Sequence, residues 1–404
     1  MFSFLRKKKD AGPVVYARAD HCISRKNIDP AALKTLYTLS NAGYTAYLVG
    51  GGVRDLLMGR TPKDFDVATS ARPNEVKRLF RNCMLIGRRF RLAQVRFGGT
   101  IIETATFRRE PESVGEAIES AAAGMQLDDN NFGTPETDAY RRDFTVNGLF
   151  YNIADFSVID WVGGMKDLEN KTIRTIGESA KRFREDPVRM MRAVKFSSRL
   201  GFKIEKKTLA AMKELHSRIL EASTPRVCEE LFRLFPYSSS EAAFRLMWQT
   251  GLLGDLLPEL SAHIDASGGA KSKVWKYLAV LDELDAVRRG EGGEVSNAVR
   301  AAALMTGLVR REKEPATSRA AMQTMMRTLK VPKATYFPAV SLLESTRRLC
   351  APPARDKKRF VRGELFLDAL DYNRIVLRAE GRDESVLEAW IQLYEQGGKD
   401  DEHT

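Results

Sequence analysis

The sequence has 404 residues, of which 43% are hydrophobic, enough for two to four domains with sizeable cores. It has no run of about 18 apolar residues, which argues against a transmembrane helix. The first residues, MFSFLRKKKD, lack the apolar stretch and cleavage site of a secretory signal.

The net charge of +12 is typical of proteins that bind a polyanion, although solubility alone would also explain it. Basic residues concentrate in a few stretches, and their position beside the motifs below favours phosphate contacts: 88–91, 108–109, 141–142 and 181–192. Four cysteines and four histidines are scattered without zinc-ligand spacing. That pattern indicates reduced thiols in a cytoplasmic protein rather than a disulfide framework.

Residues 1–30 are predicted to form a polar, weakly patterned extension. Helical and strand patterns then alternate through residues 31–175: PAALKTLYTLSNAGY predicts a helix, TAYLVGGG a strand ending in a turn, DFDVAT a strand, PNEVKRLFRN a helix, and RLAQVRFGGTIIETATF a hairpin turning at Gly98-Gly99. The mixture predicts an α+β domain with a small antiparallel or mixed sheet. After about residue 178 helical periodicity dominates, and the last ten residues, EQGGKDDEHT, are predicted to be disordered.

Two aspartates, Asp64 and Asp66, are one residue apart in DFDVAT. In a strand both would project from one face, where their repulsion calls for compensation by a cation such as Mg²⁺. A polar edge strand is the structural alternative. A phosphatase-like nucleophile is disfavoured, because Ala68 stands where that motif has Thr or Val.

Glu103 is the only acid in the strand pattern GTIIETATF. A buried, unpaired carboxylate is costly, so this side chain needs either an arginine partner or a metal. Two aspartates on one strand and an acid on a neighbouring one suit a two-metal site for phosphoryl or nucleotidyl transfer.

Three glycines, Gly50 to Gly52, precede Arg54 and Asp55. Glycines expose backbone N–H groups, so a triphosphate could lie along Gly51 and Gly52, although most glycine runs are simply turns. The stretch is no Walker A loop, since no G-K-[ST] follows. Arg54 and Asp55 are predicted to form an ion pair that braces the turn.

Two later motifs carry arginine beside aspartate. Arg141, Arg142 and Asp143 offer guanidinium forks for phosphate and an acceptor for a ribose hydroxyl, or else form a solvated turn. Asp186 precedes Pro187 and is predicted to cap a helix. Asp186 and Arg189 are three residues apart, so on one helix face they could also read the edge of a base.

In sum, the chain resembles the class II nucleotidyltransferases of the polymerase-β superfamily, which comprise bacterial poly(A) polymerases and tRNA CCA-adding enzymes. The resemblance rests on LVGGGVRDLLMGRTPKDFDVAT, YRRDFTVNGLFYN, DWVGGMKDLENKTIRTIG and REDPVRMMRAVKFSSRLGF, which occur in the family's order within about residues 40–235.

The resemblance implies a nucleotidyltransferase head (31–175), a helical neck for nucleotide recognition (176–236), a helical body (237–350) and a helical, RNA-binding tail (351–404). It implies that Asp64 and Asp66 bind two Mg²⁺ ions, with Glu103 as a third catalytic carboxylate. The implied nucleotide contacts are Gly51, Gly52, Arg54, Arg141, Arg142, Asp143, Asp186 and Arg189. The implied reaction is attack of an RNA 3′-hydroxyl on the α-phosphate of ATP.

Three stretches are similar to those of the bacterial poly(A) polymerase branch: LIGRRFRLAQV, NNFGTPETDAYRRDFT and the EDP at 185–187. Gln94 departs from that branch, which often has histidine there. Polyadenylation of RNA 3′ ends is therefore expected, with CCA addition to tRNA as the alternative. A non-catalytic RNA-binding protein is a second alternative, disfavoured because all three carboxylates are present.

Overall fold

The computed structural model describes residues 12–87, 92–109, 132–309, 322–323, 326–350 and 357–401. The basic stretch 88–91 lies outside the described residues. The chain divides into two compact units. The first comprises Met1–Arg182 with Lys203–Glu205, and the second comprises Phe183–Phe202 with Lys206–Thr404.

The first unit is built on an eight-stranded sheet. Its strands are β1 (Val14–Tyr16), β2 (Ala46–Val49), β3 (Asp66–Thr69), β4 (Cys83–Ile86), β5 (Leu92–Phe97), β6 (Thr100–Thr106), β7 (Leu149–Asn152) and β8 (Val158–Asp160), in the spatial order β1-β8-β7-β2-β3-β6-β5-β4. Strands β3 and β6 run parallel and every other neighbouring pair is antiparallel. The sheet is therefore mixed, which is one of the two kinds predicted, and with eight strands it is larger than the small sheet expected.

Helices of the first unit surround this sheet: α1 (Pro30–Asn41), α2 (Gly51–Leu57), α3 (Pro73–Leu79), α4 (Pro135–Tyr140), α5 (Gly164–Glu169) and α6 (Ser179–Glu185), whose last turn enters the second unit. Asp29 caps α1 by accepting a hydrogen bond from the N–H of Ala31 at 2.7 Å, and Pro30 occupies its first turn. The apolar stripe Ala32, Leu36 and Leu39 is fully buried, and α1 packs on β2, β3 and β6. This packing covers one face of the sheet.

A short parallel pair, β9 (Thr172–Ile173) and β10 (Lys203–Ile204), also belongs to the first unit. The second unit is otherwise helical: α7 (Val188–Leu200), α8 (Lys206–Leu215), α9 (Thr224–Phe232), α10 (Ser240–Thr250), α11 (Leu252–Leu256), α12 (Pro258–Ala266), α13 (Val274–Gly290), α14 (Asn297–Val309), α15 (Lys333–Leu349), α16 (Lys357–Val361), α17 (Phe366–Glu380) and α18 (Glu388–Asp401). None of the helices formed by described residues is long and apolar enough to cross a membrane.

Two local predictions were wrong and one was partly right. The turn predicted after the buried strand β2 is confined to Gly50, at φ 71°, because Gly51 and Gly52 already belong to α2. Val14–Tyr16 lies in the expected extension, yet its β-favouring residues add the edge strand β1. Residues 395–401 were expected to be disordered, but α18 continues to Asp401 from a first turn anchored by the buried Trp390.

Candidate active site

Asp66 and Glu103 form the centre of the candidate site. Asp66 begins β3 and is the register partner of Glu103 on the parallel strand β6, so both side chains project from the same face of the sheet. Burial raises the pKa of the half-buried Asp66 to about 6, and the negative charges of Glu103 and Asp64 add to this shift, whereas Arg142 opposes it. The three acids are thus electrostatically coupled at one place.

Two expectations about these acids need correction. Asp64 does not share a strand with Asp66, because β3 begins only at Asp66; Asp64 precedes it and is exposed. Glu103 is exposed rather than buried. The alternation of β6 explains this, since Ile102 and Thr104 take the core side and leave Glu103 on the open face.

Across the part of the chain that the structure describes, no three His, Cys, Asp or Glu side chains converge closely enough to enclose a metal ion. The acids Asp66 and Glu103 instead offer an adjacent pair, with Asp64 beside them. Mg²⁺ commonly binds through one or two carboxylates and completes its shell with water and substrate phosphates. The donor set and the repulsion at Asp66 therefore fit Mg²⁺ delivered with a nucleotide.

The glycines of α2 permit two close approaches. A Cβ at Gly50 would lie 3.0 Å from Nη1 of Arg142, and one at Gly52 would lie 3.3 Å from the backbone oxygen of Asp64. Gly52 is buried, whereas Gly51 is partly exposed. The absence of side chains thus lets the segment of the two aspartates and the Arg142 guanidinium both lie against the start of α2.

Arg54 and Asp55 form the predicted ion pair. Nη2 of Arg54 lies 2.7 Å from Oδ1 of Asp55, and Nη1 donates to Oδ1 of Asn147 at 2.5 Å. The Arg54 side chain is 3% exposed. Arg54 therefore links α2 to the turn before β7. This buried side chain supports the site and is not exposed to a ligand.

Arg141 and Arg142 share one carboxylate, that of Asp138 in α4. Nη2 of Arg141 lies 2.7 Å from Oδ1 of Asp138, and Nη2 of Arg142 lies 2.9 Å from Oδ2. Burial alone would raise the pKa of Asp138, but the charges and hydrogen bonds of Arg142 and Arg141 outweigh it and hold the pKa below its usual value. Asp138 is 1% exposed while both arginines stay partly exposed, so it anchors two cations, and the charge of one of them, Arg142, acts on Asp66.

Asp143 is partly exposed, and its Oδ1 stabilises the local turn. Its Oδ1 accepts from the N–H of Phe144 at 2.8 Å and from Nδ2 of Asn147 at 3.0 Å. Nη2 of Arg182 donates to the backbone oxygens of Arg141 and Arg142 at 2.7 and 2.8 Å. These contacts fix the backbone that carries both phosphate-binding candidates.

Asp186 and Arg189 lie in the second unit, and each has a different partner. Oδ2 of Asp186 accepts from Arg226 at 3.0 Å, and its Oδ1 accepts from the N–H of Val188 at 3.3 Å. Arg189 pairs with Glu185 at 3.2 Å. Asp186 thus accepts a hydrogen bond from the start of α7, as a capping residue would. The helix itself begins at Val188, one residue later than predicted, so Pro187 occupies the cap position.

Sequence reasoning missed Asp138, Asn147 and Arg182 as parts of this site. The spacing of Asp138 to Arg141 and Arg142, three and four residues apart, is the signal that could have found the first. The other two contact residues distant in sequence, and single-sequence patterns do not report such pairs.

Comparison with known proteins gives two family matches. Residues 46–174 match the family "Poly A polymerase head domain", and residues 201–264 match "Probable RNA and SrmB- binding site of polymerase A". The first range contains every first-unit site residue that the sequence predicted, whereas Arg182, Asp186 and Arg189 lie between the two ranges.

Among similar sequences, "Poly(A) polymerase I" of Escherichia coli O6:H1 is 48% identical over 257 residues, which cover 63% of this chain and 55% of that protein. The "CCA-adding enzyme" of Lactobacillus helveticus is 35% identical over 261 residues, covering 63% of each chain. The chain thus spans little more than half the length of the first of these relatives. Among solved structures, the Bacillus stearothermophilus CCA-adding enzyme in complex with CTP aligns with a TM-score of 0.69 and 27% identity, covering 91% of this chain and 83% of that one.

Proposed function

Because the chain belongs to the class II family of poly(A) polymerases and CCA-adding enzymes, we propose that it is a template-independent RNA nucleotidyltransferase that transfers AMP from ATP to RNA 3′ ends. The observation that carries the proposal is the register pairing of Asp66 with Glu103, with Asp64 electrostatically coupled to Asp66 and the anchored Arg142 acting on the same carboxylate. Carboxylates next to guanidinium groups suit a magnesium-bound triphosphate.

In this reaction the RNA 3′-hydroxyl releases its proton to solvent, and its oxygen forms a bond to the α-phosphorus of ATP. The bond from that phosphorus to the bridging oxygen breaks, and pyrophosphate leaves with both electrons of that bond. Asp64, Asp66 and Glu103 would hold two Mg²⁺ ions, which would neutralise charge on the phosphates and activate the 3′-hydroxyl.

The first unit supplies the contacts to phosphate and sugar. Arg141 and Arg142, fixed by Asp138, would face the phosphates, and the glycines Gly51 and Gly52 would let the triphosphate approach the backbone. Asp143 would accept from the ribose. Arg54 would act as a positioning residue by holding α2 in place.

The neck (176–236) would select the base, because its residues Asp186 and Arg189 present an acceptor and a donor fork. Their ion pairs with Arg226 and Glu185 preset both side chains before a base arrives. The body (237–350) and tail (351–404) would bind RNA. A cytoplasmic location is part of the proposal, since all four cysteines are free thiols.

The poly(A) branch is favoured by the higher identity to the E. coli poly(A) polymerase than to the CCA-adding enzyme, 48% against 35% over similar lengths. CCA addition to tRNA is the second candidate, and the fold similarity to a CTP-bound CCA-adding enzyme supports it. A non-catalytic RNA-binding role is disfavoured by the complete set of acids.

The test is incorporation by the purified protein with Mg²⁺, using unstructured RNA and tRNA lacking CCA, each with ATP or CTP. We expect long AMP tails on unstructured RNA and none in Asp64→Ala. CTP addition to the tRNA end would overturn the poly(A) assignment in favour of the CCA alternative. Undiminished addition by Asp64→Ala would refute the carboxylate assignment.

A further inference from the structure

A cavity lies in the first unit, away from the carboxylates. It has a volume of about 570 Å³, and three cations and three aromatic rings line most of it: Arg18, Arg25, Lys26, Tyr37, Tyr151 and Phe156. We call it the back cavity, because its lining residue Tyr151 lies on the face of the sheet opposite to Asp66. Tyr151 is the register partner of Leu48, and Leu48 is the register partner of Val67. Side chains alternate along β3, so Val67 and this row face away from Asp66.

The back cavity also lies toward the other end of the strands. Asp66 is the register partner of Val49, which in turn partners Phe150, whereas Phe156 follows the end of β7 in the turn to β8. The cavity and the candidate active site are therefore separated both by the sheet and along it.

The cations of the back cavity have no carboxylate partner among the residues that the structure describes. Arg18 donates to the backbone oxygen of His21 at 3.0 Å, and Arg25 donates to the Tyr37 hydroxyl at 3.1 Å. Arg18, Arg25 and Lys26 are all exposed. Three positive charges thus converge on one concave surface and lack internal neutralisation.

The carboxylates that are close in sequence to the lining residues of the back cavity accept hydrogen bonds from backbone N–H groups. Asp20 accepts from the N–H of Ala17 at 2.9 Å, and Asp155 accepts from that of Ser157 at 3.0 Å. Asp29 is occupied as the cap of α1. Asp155 acts on Tyr151 through its charge, but the lining itself holds three cations and no carboxylate, so it is complementary to an anion.

The aromatic wall is held at a conformational cost. Phe156 has φ of 62°, a left-handed conformation that costs a non-glycine residue about 1–2 kcal/mol. Nε2 of His21 lies 2.9 Å from the Phe156 oxygen and fixes the turn, and the Arg25 guanidinium lies 4.6 Å from the centre of the Phe156 ring. Glycine or asparagine would relieve the strain, but neither would present a ring.

We propose that the back cavity binds a segment of single-stranded RNA upstream of the 3′ end, with bases stacked on the accessible rings of Tyr37 and Phe156 and phosphates on the three cations. Single-stranded nucleic acid sites combine such aromatic platforms with positive grooves. The inference rests on the proposed function for the identity of the polyanion, but it concerns a site that the chemistry does not use.

The test compares RNA length dependence in two charge variants. One is the triple substitution Arg18→Gln, Arg25→Gln and Lys26→Gln. The control removes three exposed cations elsewhere in the first unit, Lys77→Gln, Arg78→Gln and Arg81→Gln. Anisotropy is measured with unstructured RNAs of about 6 and about 20 nucleotides that carry blocked 3′ ends.

We expect the back-cavity triple to bind the longer RNA at least about tenfold more weakly and to lower its salt slope by about 2, as loss of three phosphate contacts requires. Binding of the shorter RNA, and its extension with an unblocked end, stay at wild-type values. An equal loss in both triples, or no loss in the first, overturns the inference. Extension of the short RNA reports the proposed function separately, so failure of one is not failure of the other.

A second variant, Tyr37→Leu with Phe156→Asn, tests the aromatic platform without changing charge. It should weaken binding of the longer RNA by about fivefold or more, since stacking contributes about 1–3 kcal/mol per base. Unchanged affinity in a folded variant would refute the stacking role.

Discussion

At the scale of single residues, Asp66 lowers the stability of the folded protein because of the same charge that suits it to bind a metal ion. A half-buried carboxylate beside two other acids destabilises the metal-free protein, and burial together with Glu103 and Asp64 raises its pKa to about 6. Without a bound metal ion, the folded protein holds the Asp66 proton more tightly than the unfolded chain does. Stability from this group therefore falls as the pH rises from about 4 to about 6.

We expect Asp66→Asn to stabilise the metal-free protein above pH 6 by about 1–3 kcal/mol, because it removes the disfavoured charge. The gain should disappear below about pH 4, where wild-type Asp66 is protonated in both states. Urea unfolding in a chelating buffer across this range measures it, and nucleotide addition should be lost. A gain that is the same at pH 4 and pH 8 would contradict the electrostatic cause.

The effect of Mg²⁺ with a non-hydrolysable ATP analogue on the melting temperature provides a second test of Asp66. This combination should raise the melting temperature of the wild type much more than that of Asp66→Asn, because the cation compensates a repulsion that the variant lacks. Equal shifts in both proteins would place the metal elsewhere.

At the scale of elements, α4 holds the two phosphate-binding candidates through one buried acid. The lowered pKa of Asp138 means that its ion pairs stabilise the fold above the ordinary carboxyl pKa and that this contribution is lost as acid protonates it. The element acts as a fixed support, because its carboxylate is buried while the guanidinium groups it holds remain partly exposed.

The substitution Asp138→Asn should destabilise the protein by about 2–4 kcal/mol at pH 7, since two guanidinium groups lose their charged partner. It should also raise the KM for ATP. The difference in the free energy of unfolding between the variant and the wild type should become smaller in acid. Urea unfolding at pH 7 and near pH 3 measures this difference. Glu136→Gln, on an exposed position of the same helix, is the matched control and should leave both quantities unchanged.

The start of α7 is the element expected to read the base. Arg189→Ala should reduce discrimination of ATP over CTP by roughly 5- to 150-fold, the range for loss of a bidentate base contact. Competition between the two nucleotides measures it, with Arg218→Ala, from an exposed ion pair, as the control. Retained discrimination with weakened RNA binding would assign Arg189 to the RNA instead.

Most elements and the mixed sheet could be predicted, because hydrophobic period and turn residues are local signals. The hairpin at Gly98 is an example, since β5 and β6 pair as the sequence indicates. Helix α2 could not be predicted from the glycines; it forms because Val53 and Leu56 are buried on one side. The contacts of Asn147 with Arg54 and of Arg182 with the backbone of Arg141 and Arg142 depend on long-range packing, which a single sequence does not encode in its spacing.

At the scale of the whole molecule, the charge of +12 should govern encounter with RNA more than binding of the nucleotide. We expect kcat/KM for RNA to fall at least tenfold between about 50 and 200 mM salt, because phosphate contacts release counterions. The KM for ATP with Mg²⁺ should change only a fewfold. Equal salt sensitivity of both substrates would count against an RNA-directed role of the net charge.

The strand β10 has a consequence for exchanging parts between relatives. The chain leaves the first unit after Arg182 and returns for Lys203–Glu205, where the N–H groups of Lys203 and Glu205 donate to the oxygens of Lys171 and Ile173, each at 2.9 Å. A chimera joined at Arg182 would pair one parent's β9 with the other parent's β10. A junction after Glu205 keeps that pair native but carries α7 along with the head. We therefore expect the head of this chain to be exchangeable only together with residues 183–205, which include α7 and β10.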